Sequence, residues 1–367
     1  MISRRVLLGA AGGAALYLTL APAAVLAKSK TDPMRETGMP VPGLDEKQIR
    51  ILSYAALAPS GHNTQPWMVK IREPNHWTIA VNSMRRLPAV DPENRELLLS
   101  IGTFAENLYL AAGAMGYEAA MRVVATDAFC EDVVDVKLTP RDLSDYPLDR
   151  LEKRRTVKND LLDKEISQAD LDYITEPLGD GFRFFPRSSE HAKCFTDGTI
   201  EANKLQVARD DAQRELAKWI RFTKKQIREH RDGLTVKGME IQGFAGWYVS
   251  RFMDERDVMK QSFRDQTVAK VEKLVAQGGG WLVITSKSGS VADIIDAGRR
   301  FEAMALLCRE RNIALHPMTQ MLEEGNWDAK TEAHKGMTPQ FILRAGYVKK
   351  VPKPVSPRRP IGWFVQQ

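Results

Sequence analysis

Apolar side chains recur at helical or strand intervals along most of the chain, and the pattern is interrupted near position 150. Residues 44–58 carry apolar side chains at helical spacing and predict a first helix. Residues 93–115 show the same spacing with many glycines and alanines, which indicates a buried helix that a neighbouring backbone approaches closely. The pattern also predicts a strand pair over 68–71 and 77–81 and two further strands over 119–125 and 132–138.

The second half alternates in the same way between long helical stretches and short strands. An irregular segment over 231–258 is rich in glycine and aromatic residues. The remaining predicted elements are helices over 167–177, 191–230, 262–276 and 293–311, and strands over 181–185, 281–285 and 340–343.

Short strands mixed with long helices in both halves favour an α+β fold over a doubly wound parallel sheet. Residues 139–150 break the periodic pattern with proline and polar side chains, so we place a domain boundary there. A chain of 367 residues exceeds what one hydrophobic core usually supports. We therefore predict an N-terminal unit over 28–150, beginning with a proline-rich arm, and a C-terminal unit over 151–367.

Charge and cysteine content narrow the function only slightly. The net charge of +6 is spread along the chain and gives no reason to expect a nucleic-acid partner. Cys130, Cys194 and Cys308 are far apart and form no CxxC pair, so a disulfide framework is not expected. The six histidines are scattered, and we expect no metal site.

The first 27 residues predict an export signal. Arg4 and Arg5 precede an apolar stretch over 6–20, which is shorter than the roughly 20 residues that span a bilayer. Paired arginines before a short apolar stretch are typical of a twin-arginine signal peptide. The small residues before Lys28 suggest cleavage after Ala27, and an uncleaved anchor remains the alternative. We expect a periplasmic or otherwise exported protein that meets a membrane only during export.

Residues 58–67 read APSGHNTQPW and follow the first predicted helix directly. Two prolines and a glycine in this run indicate an irregular backbone. The side chains of Asn63, Thr64 and Gln65, next to Pro66, supply amide and hydroxyl groups that both donate and accept hydrogen bonds. Such a loop suits the edge of a flat polar ring; a turn that only ends the helix is the alternative.

Two basic segments are candidate binding sites. In RRTVK, Arg154, Thr156 and Lys158 share one face of an extended segment, and Arg155 lies beside them. Cations and a hydroxyl in this arrangement suit a phosphate and a ring carbonyl. In SPRRP, prolines flank and stiffen the pair Arg358 and Arg359, which favours a defined site over the alternative of a charged tail.

A third candidate segment reads LHPMTQ over 315–320 and follows a predicted helix. His316 is a lone histidine, which we interpret as structural rather than catalytic.

The run APSGHNTQPW closely resembles the APSxxNxQPW element of the nitroreductase superfamily, whose members bind FMN. RRTVK is similar to the Arg-x-Ser-x-Arg start of those domains. SPRRP resembles their closing segment, in which a basic residue meets the FMN phosphate, so the resemblance implies this contact for Arg358 or Arg359. LHPMTQ resembles the loop that packs backbone amides against flavin N5, which makes Met318 and Gln320 candidate cofactor contacts. Family members carry Pro-x-x-Gly in that loop; this chain departs from them with Pro-Met-Thr-Gln, and the Gln320 side chain is the candidate to replace a backbone donor near N5. The resemblance extends over roughly residues 44–365 and implies a nitroreductase-like α+β fold with FMN as cofactor.

The distribution of these motifs resembles the Acg-like branch of the superfamily. The first unit has the amide-rich run without a basic start, and the second has the basic start without the amide-rich run. In the homodimers of the superfamily, each flavin takes contacts from both chains. The resemblance therefore implies two tandem units that form an intramolecular pseudo-dimer with one FMN site, and hence a monomer.

The implied activity is ping-pong electron transfer through FMN to a flat, electron-poor small molecule such as a nitroaromatic or a quinone. The donor stays open, with NAD(P)H among the candidates. No side chain need act as an acid, base or nucleophile, and Lys158 or Arg154 would stabilise the reduced flavin. In the alternative hypothesis, the aromatic segment 239–252 covers the flavin and the protein only sequesters FMN. Another flavin chemistry, such as dehydrogenation of a peptide or cyclic metabolite, is a third possibility.

Overall fold

Two long helices that pack side by side, α2 (Arg95–Ala114) and α11 (Val291–Glu310), lie within the main hydrophobic core. The computed structural model describes residues 41–325 and 338–367. A Cβ atom added at Gly102 would lie 2.3 Å from the carbonyl oxygen of Ile295, and one at Gly298 would lie 2.3 Å from that of Leu99. Glycine is therefore required for this approach, as the small residues of 93–115 predict.

A five-stranded sheet covers one side of the fold, with strand order β11-β1-β2-β4-β3. The hairpin predicted over 68–81 is present, and so are the two strands predicted after the long helix. All neighbours in this sheet are antiparallel except β11, which runs parallel to β1 with Val365 opposite Val69. Its strands are β1 (Trp67–Glu73), β2 (His76–Val81), β3 (Tyr117–Val123), β4 (Asp132–Pro140) and β11 (Val365–Gln366).

A four-stranded antiparallel sheet is built from residues that follow position 150, with strand order β5-β8-β10-β9. Its strands are β5 (Phe182–Pro186), β8 (Gly280–Ser286), β9 (Ile313–Pro317) and β10 (Thr338–Tyr347). Two very short strands, β6 (Ile220–Arg221) and β7 (Leu234–Thr235), pair in parallel beside the cavity described below. Strands and helices thus alternate irregularly, which confirms the predicted α+β class.

Some of the helices begin where the local sequence supplies a capping box. Asp45 and Gln48 form a capping box at the start of α1, and Thr223 and Gln226 form another at α7. Besides α2 and α11, the helices are α1 (Glu46–Ala55), α3 (Asp149–Lys153), α4 (Gln168–Thr175), α5 (Glu190–Ala208), α6 (Asp210–Trp219), α7 (Lys224–His230), α8 (Gly243–Phe252), α9 (Glu255–Val258), α10 (Gln261–Val275) and α12 (Gln320–Glu323).

The single helix predicted over 191–230 is wrong, because the chain forms α5, α6 and α7 there with β6 between the last two. Arg209 adopts an extended conformation that ends α5. Asp210 and Asp211 then favour a new helix start, since acidic side chains stabilise helix N-termini. Helical periodicity continues across both breaks, which is why the pattern did not indicate them.

Two further expectations need correction. The segment 231–258 is not irregular throughout, because it contains α8 and α9. No strand was predicted at the start of LHPMTQ, yet residues 315–317 belong to β9, which pairs with β10. Neither segment has a strong period of its own, so contacts with distant strands and helices decide its structure.

The predicted boundary at 150 and the two tandem units stay a prediction. The described residues fall in one compact unit, and β11 joins the sheet of the first half. The predicted signal over 1–27 and most of the arm over 28–43 lie outside the described residues. Among the described helices, α2 alone has the length and composition to cross a membrane; it is mostly buried within the core.

Candidate functional site

A cavity of about 340 Å³ opens where the loop over 58–66 meets the segment over 154–158, and its size falls within the range of small-molecule sites. One face of α2, the start of α12 and the C-terminal segment over 354–358 complete its wall. The lining residues are Pro59, Ser60, Gly61, His62, Asn63, Glu96, Leu99, Ser100, Thr103, Arg154, Arg155, Thr156, Lys158, Gly233, Leu234, Thr235, Gly238, Phe301, His316, Pro317, Thr319, Gln320, Glu323, Phe341, Pro354, Val355, Ser356 and Arg358.

The loop over 58–66 has an unusual backbone. His62, Asn63 and Gln65 adopt left-handed conformations, with φ of 48°, 54° and 52°. Such conformations are uncommon outside glycine, although Asn and His tolerate them better than most residues. At Gln65 the cost is about 1 kcal/mol or more. The surrounding contacts must therefore hold the loop in this shape.

Hydrogen bonds from distant segments hold that shape. The side-chain amide of Asn63 donates to the carbonyl oxygens of Gly233 and Pro357, at 3.2 and 3.3 Å. Gly233 is left-handed, and a Cβ atom there would lie 2.4 Å from the carbonyl oxygen of Trp219, so only glycine brings this carbonyl to Asn63.

Gln65 fixes the C-terminal segment to the same loop. Its side-chain carbonyl accepts the backbone N–H of Arg359 at 2.8 Å, and its amide donates to the carbonyl oxygen of Arg231 at 2.9 Å. Its own N–H donates to the Ser60 hydroxyl at 2.9 Å. Gln65 is fully buried, so its amide is used within the protein.

The structure brings most of the sequence-predicted contacts to one cavity and sets others behind its wall. Asn63, Arg154, Arg155, Thr156, Lys158, Gln320 and Arg358 line it. Five candidates do not line it: Thr64, Gln65, Pro66, Met318 and Arg359. All five are buried, and they support the wall rather than face the cavity.

The two arginines of SPRRP have different positions. Arg358 lines the cavity, and its guanidinium donates to the Asn63 side chain at 3.0 Å and to the carbonyl oxygen of Leu57 at 2.9 Å. Arg359 points away and donates to the carbonyl oxygen of Trp67 at 2.7 Å. Burial lowers the pKa of Arg359 to about 9. Of the pair, only Arg358 is positioned to meet a ligand.

Glu240 fixes the conformation of the basic segment over 154–158. Its carboxylate accepts the Arg155 guanidinium at 2.8 Å and the backbone N–H groups of Lys158 and Asn159 at 3.0 and 2.8 Å. These contacts fix the extended backbone that turns Thr156 and Lys158 toward the cavity. They also pair the charge of Arg155 with that of Glu240.

Lys158 is a cation of the wall whose pKa is strongly lowered. Burial lowers its pKa to about 8; the positive charges of Lys270 and Arg155 act in the same direction, and Glu240 opposes them. Among the described residues, no carboxylate or carbonyl is bound to its ammonium group. An anionic ligand group would supply the missing partner.

The neighbouring His316 is neutral. Burial and the positive charges of Arg344, Lys158 and Lys270 lower its pKa well below the ordinary value. Its Nδ1 lies 3.3 Å from the Arg344 guanidinium. His316 lines the cavity, but its ring also contacts Arg344. This contact is consistent with the interpretation of His316 as a structural residue.

The positive charge of Arg154 is balanced by the buried carboxyl group of Glu302. Its Nε lies 3.3 Å from a carboxylate oxygen of Glu302, which is fully buried. Burial raises the pKa of Glu302 to about 7, and the positive charges of Arg154 and Arg358 oppose that shift. Because Glu302 is partly protonated, it does not fully balance the positive charges of Arg154 and Arg358. Positive charge therefore remains in the wall for a ligand.

Sequence reasoning missed the acidic part of the cavity. Glu96 and Glu323 line it, and His62 lies close enough to Glu96 and Lys158 for both charges to affect it. Burial lowers the pKa of His62 to about 4, so its ring is neutral. Two sequence signals could have indicated these residues. His62 lies inside the APSGHNTQPW run, and Glu323 follows the candidate Gln320 by one helical turn.

The lining residues fit the FMN that the family resemblance implies. The side-chain oxygen of Gln320 is buried and has no hydrogen-bond partner within 41–325 and 338–367, so it can accept from a ring N–H. The ammonium of Lys158 and the guanidinium of Arg154 can face anionic groups. No group of three or more potential metal ligands occurs in the same described residues.

The aromatic segment over 239–252 does not cover the cavity. Phe244, Trp247, Tyr248 and Phe252 are largely exposed and contact one another on the surface. None of them is a lining residue. The contacts described for this segment therefore provide no lid over a bound ring.

The chain is similar in sequence to a protein of Serratia sp. named as a probable NAD(P)H nitroreductase, PigM. The two are 24% identical over 329 residues, which is 84% of this chain and 90% of the relative. That name agrees with the resemblance to the nitroreductase superfamily. No family model matches the chain.

Two solved structures are similar to parts of the chain. A nitroreductase with bound FMN from Desulfitobacterium hafniense is 12% identical and covers 57% of this chain and 93% of its own, with a TM-score of 0.33. An FMN- and NADPH-dependent nitroreductase, NfnB, from Sphigopyxis is 13% identical and covers 60% of this chain and 97% of its own, with a TM-score of 0.36.

Proposed function

We propose that the protein is an FMN-dependent oxidoreductase of the nitroreductase type, which transfers electrons in a ping-pong cycle to a flat, electron-poor acceptor of the nitroaromatic or quinone kind. The observation that carries this proposal is the meeting of three sequence-distant elements in one cavity. These are the amide-rich loop with Asn63, the basic segment with Arg154 and Lys158, and Gln320 at the start of α12.

FMN, when bound, supplies two-electron transfer at its ring, and the side chains of this cavity bind it and set its charge environment. Asn63 and Arg358 hold the loop at the ring edge. Arg154 and Lys158 supply positive charge for the phosphate or for negative charge on the reduced ring. Because Lys158 has no bound anion among the described residues, it is our first candidate for stabilising the reduced cofactor.

We propose a nicotinamide as electron donor. The name of the Serratia relative includes NAD(P)H, and the sequence match covers most of both chains. Exposure of the aromatic side chains of 239–252 supports an accessible cofactor, so that donor and acceptor can both enter. This argues against a protein that only sequesters FMN.

We also propose that the chain acts as an internal pseudo-dimer and is exported. The cavity takes residues from both sides of position 150, and a monomer would then hold a complete site. Export rests on the paired arginines and apolar stretch of the first 27 residues. A fusion of residues 1–27 to a reporter, with Arg4 and Arg5 replaced by lysine as control, tests whether this segment directs twin-arginine export.

One preparation tests the enzymatic proposal. The protein lacking residues 1–27 is incubated with FMN, and its visible spectrum is recorded before and after addition of NADPH and then dithionite without oxygen. We expect a retained flavin that NADPH bleaches and a quinone reoxidises. A protein that retains no flavin would contradict the whole proposal. Retained flavin that only dithionite reduces, with no acceptor turnover, would favour sequestration.

A further inference from the structure

We propose that Glu96 and Glu323 share one proton across a carboxyl–carboxyl hydrogen bond in the cavity wall, and that this proton is delivered to an oxygen of the bound electron acceptor. The proposal rests on the proposed oxidoreductase function and names its proton donor. Glu96 lies in the first turn of α2 and Glu323 at the end of α12, so only the fold brings them together. Both line the cavity that Lys158 lines.

The contact between the two carboxyls requires a proton. The Glu96 and Glu323 side chains lie within hydrogen-bonding contact in the cavity wall, and Oε1 of Glu96 is buried with no other hydrogen-bond partner within 41–325 and 338–367. Ionised carboxylates only accept hydrogen bonds, so one of the two must be protonated for a bond between them to exist. Burial and the negative charge of Glu96 raise the pKa of Glu323 well above its ordinary value, which favours the protonated form of Glu323.

The groups around Glu323 orient it without neutralising it. The side-chain amide of Gln206 donates to one oxygen of Glu323. The next carboxylate in the chain, Glu324, is instead paired with Arg209 at 3.0 Å. Glu323 therefore has a neutral donor on one side and Glu96 on the other.

The groups around Glu96 likewise leave the shared proton in place. Arg95 approaches an oxygen of Glu96 only to 3.7 Å, which is a long contact for an ion pair. Asp91 accepts the backbone N–H groups of Glu96 and Leu97, and burial and the charge of Glu96 raise its pKa to about 6. His62, the other titratable group close to Glu96, is neutral.

Reduction of a quinone acceptor, as proposed above, requires this proton. Reduction of a quinone to a hydroquinone consumes two electrons and two protons. When bound, the cofactor would supply the two electrons and one of the protons, so the second proton must come from another source. The O–H bond of the protonated carboxyl breaks, the acceptor oxygen gains the proton, and both carboxylates are left ionised until solvent returns a proton.

Glu323→Gln tests the shared proton without any turnover. Glutamine has nearly the shape of a protonated glutamic acid and can donate to Glu96 and accept from Gln206, but it cannot release a proton. We expect wild-type protein to show the infrared carbonyl band of a protonated, deuterium-exchangeable carboxyl above pH 7. The spectrum is recorded above that pH because Glu302, whose pKa is about 7, then loses its own proton and no longer contributes to the band. The band is lost in Glu323→Gln, and in Glu96→Gln it shifts in frequency, because Glu323 stays buried while its hydrogen-bond partner changes from a carboxylate to an amide.

Glu272→Gln is the matched control, because Glu272 is a half-exposed carboxylate on α10 outside the cavity, paired with Lys204. We expect it to retain the band. An identical spectrum for wild type and both cavity variants would overturn the shared proton. Circular dichroism and retained flavin check that each variant is folded.

Turnover of two acceptors tests proton delivery. Quinone reduction consumes a proton, whereas ferricyanide takes one electron at a time and needs none. General acid catalysis contributes about 10²–10⁴-fold, so we expect Glu323→Gln to lower the quinone-to-ferricyanide rate ratio by at least about tenfold. Glu272→Gln leaves the ratio unchanged.

The outcomes separate this proposal from the function on which it rests. If wild-type protein binds no flavin or reduces neither acceptor, the proposed function fails while the infrared result still reports on the carboxyl pair. If wild-type protein turns over both acceptors and Glu323→Gln keeps the wild-type ratio across the pH range, proton delivery by the pair is wrong and the oxidoreductase function stands.

Discussion

The guanidinium of Arg358 donates to the side-chain oxygen of Asn63 at 3.0 Å across 295 positions of sequence. The same asparagine amide donates to the carbonyl oxygens of Gly233 and Pro357. Three distant segments therefore meet at one side chain, and the cavity wall depends on it.

Asn63→Ala tests this junction. It removes a hydrogen bond to a charged group, worth about 1.5–3 kcal/mol, and two donors to carbonyl oxygens. We expect FMN affinity, measured by quenching of flavin fluorescence, to fall at least about tenfold. Asn75→Ala changes a turn between β1 and β2 outside the cavity and leaves the affinity unchanged. Wild-type affinity in Asn63→Ala would show that the junction does not position the cofactor.

Arg154→Ala tests the basic segment. Loss of a charge-assisted contact to an anionic group costs about 1.5–3 kcal/mol, which corresponds to an FMN affinity about 10- to 150-fold weaker. Equilibrium dialysis with FMN measures the change. Arg150→Ala removes a neighbouring arginine that pairs with Glu310 outside the cavity and serves as the control. Equal affinities of the two variants would contradict the assignment of Arg154.

Lys158 makes cofactor affinity depend on pH. The pKa of its ammonium is lowered to about 8, so the group loses its charge as pH rises through that value. An anionic ligand binds the protonated form, so FMN affinity falls with rising pH from about pH 8 upward, by at most about tenfold per pH unit. We expect Lys158→Met to abolish this dependence in a titration followed by flavin fluorescence.

Lys193→Met is the control for that titration, because Lys193 is exposed on α5 and pairs with Asp197. It retains the wild-type pH profile. A profile for Lys158→Met that still falls above about pH 8 would assign the titration to another group.

Gly102→Ala tests the contact between α2 and α11. The added methyl would lie 2.3 Å from the carbonyl oxygen of Ile295, so the helices must move apart. Overpacking of this kind costs about 1–3 kcal/mol of unfolding free energy, measured by urea denaturation. Gly113→Ala in the same helix meets only the side chain of Ser144 and gains about 1 kcal/mol of helix propensity. A Gly102→Ala protein as stable as wild type would rule out the tight contact.

The sequence predicted the elements that local periodicity specifies. The hairpin of β1 and β2 and the long helix α2 each carry their own pattern, and the predictions match the observed bounds within a few residues. The break at Arg209 was missed because helical spacing continues across it. The strand β11 was missed because its two residues acquire strand structure only by pairing with β1.

The same distinction applies to the site. The amides of APSGHNTQPW were recognised as hydrogen-bonding groups, but sequence could not tell that Asn63 lines the cavity while Gln65 faces Arg231 and Arg359. Glu96 and Glu323 belong to none of the recognised motifs. Their relationship exists only after α2 and α12 pack on the same cavity.

The bond between Gln65 and the backbone of Arg359 spans 294 positions, and the loop over 58–66 needs it to keep its left-handed residues. A ribosome completes that loop long before it adds the residues that hold it. A growing or prematurely ended chain therefore lacks the finished wall and is expected to have little affinity for its cofactor. Cofactor loading in this way depends on completion of the segment that contains Arg359.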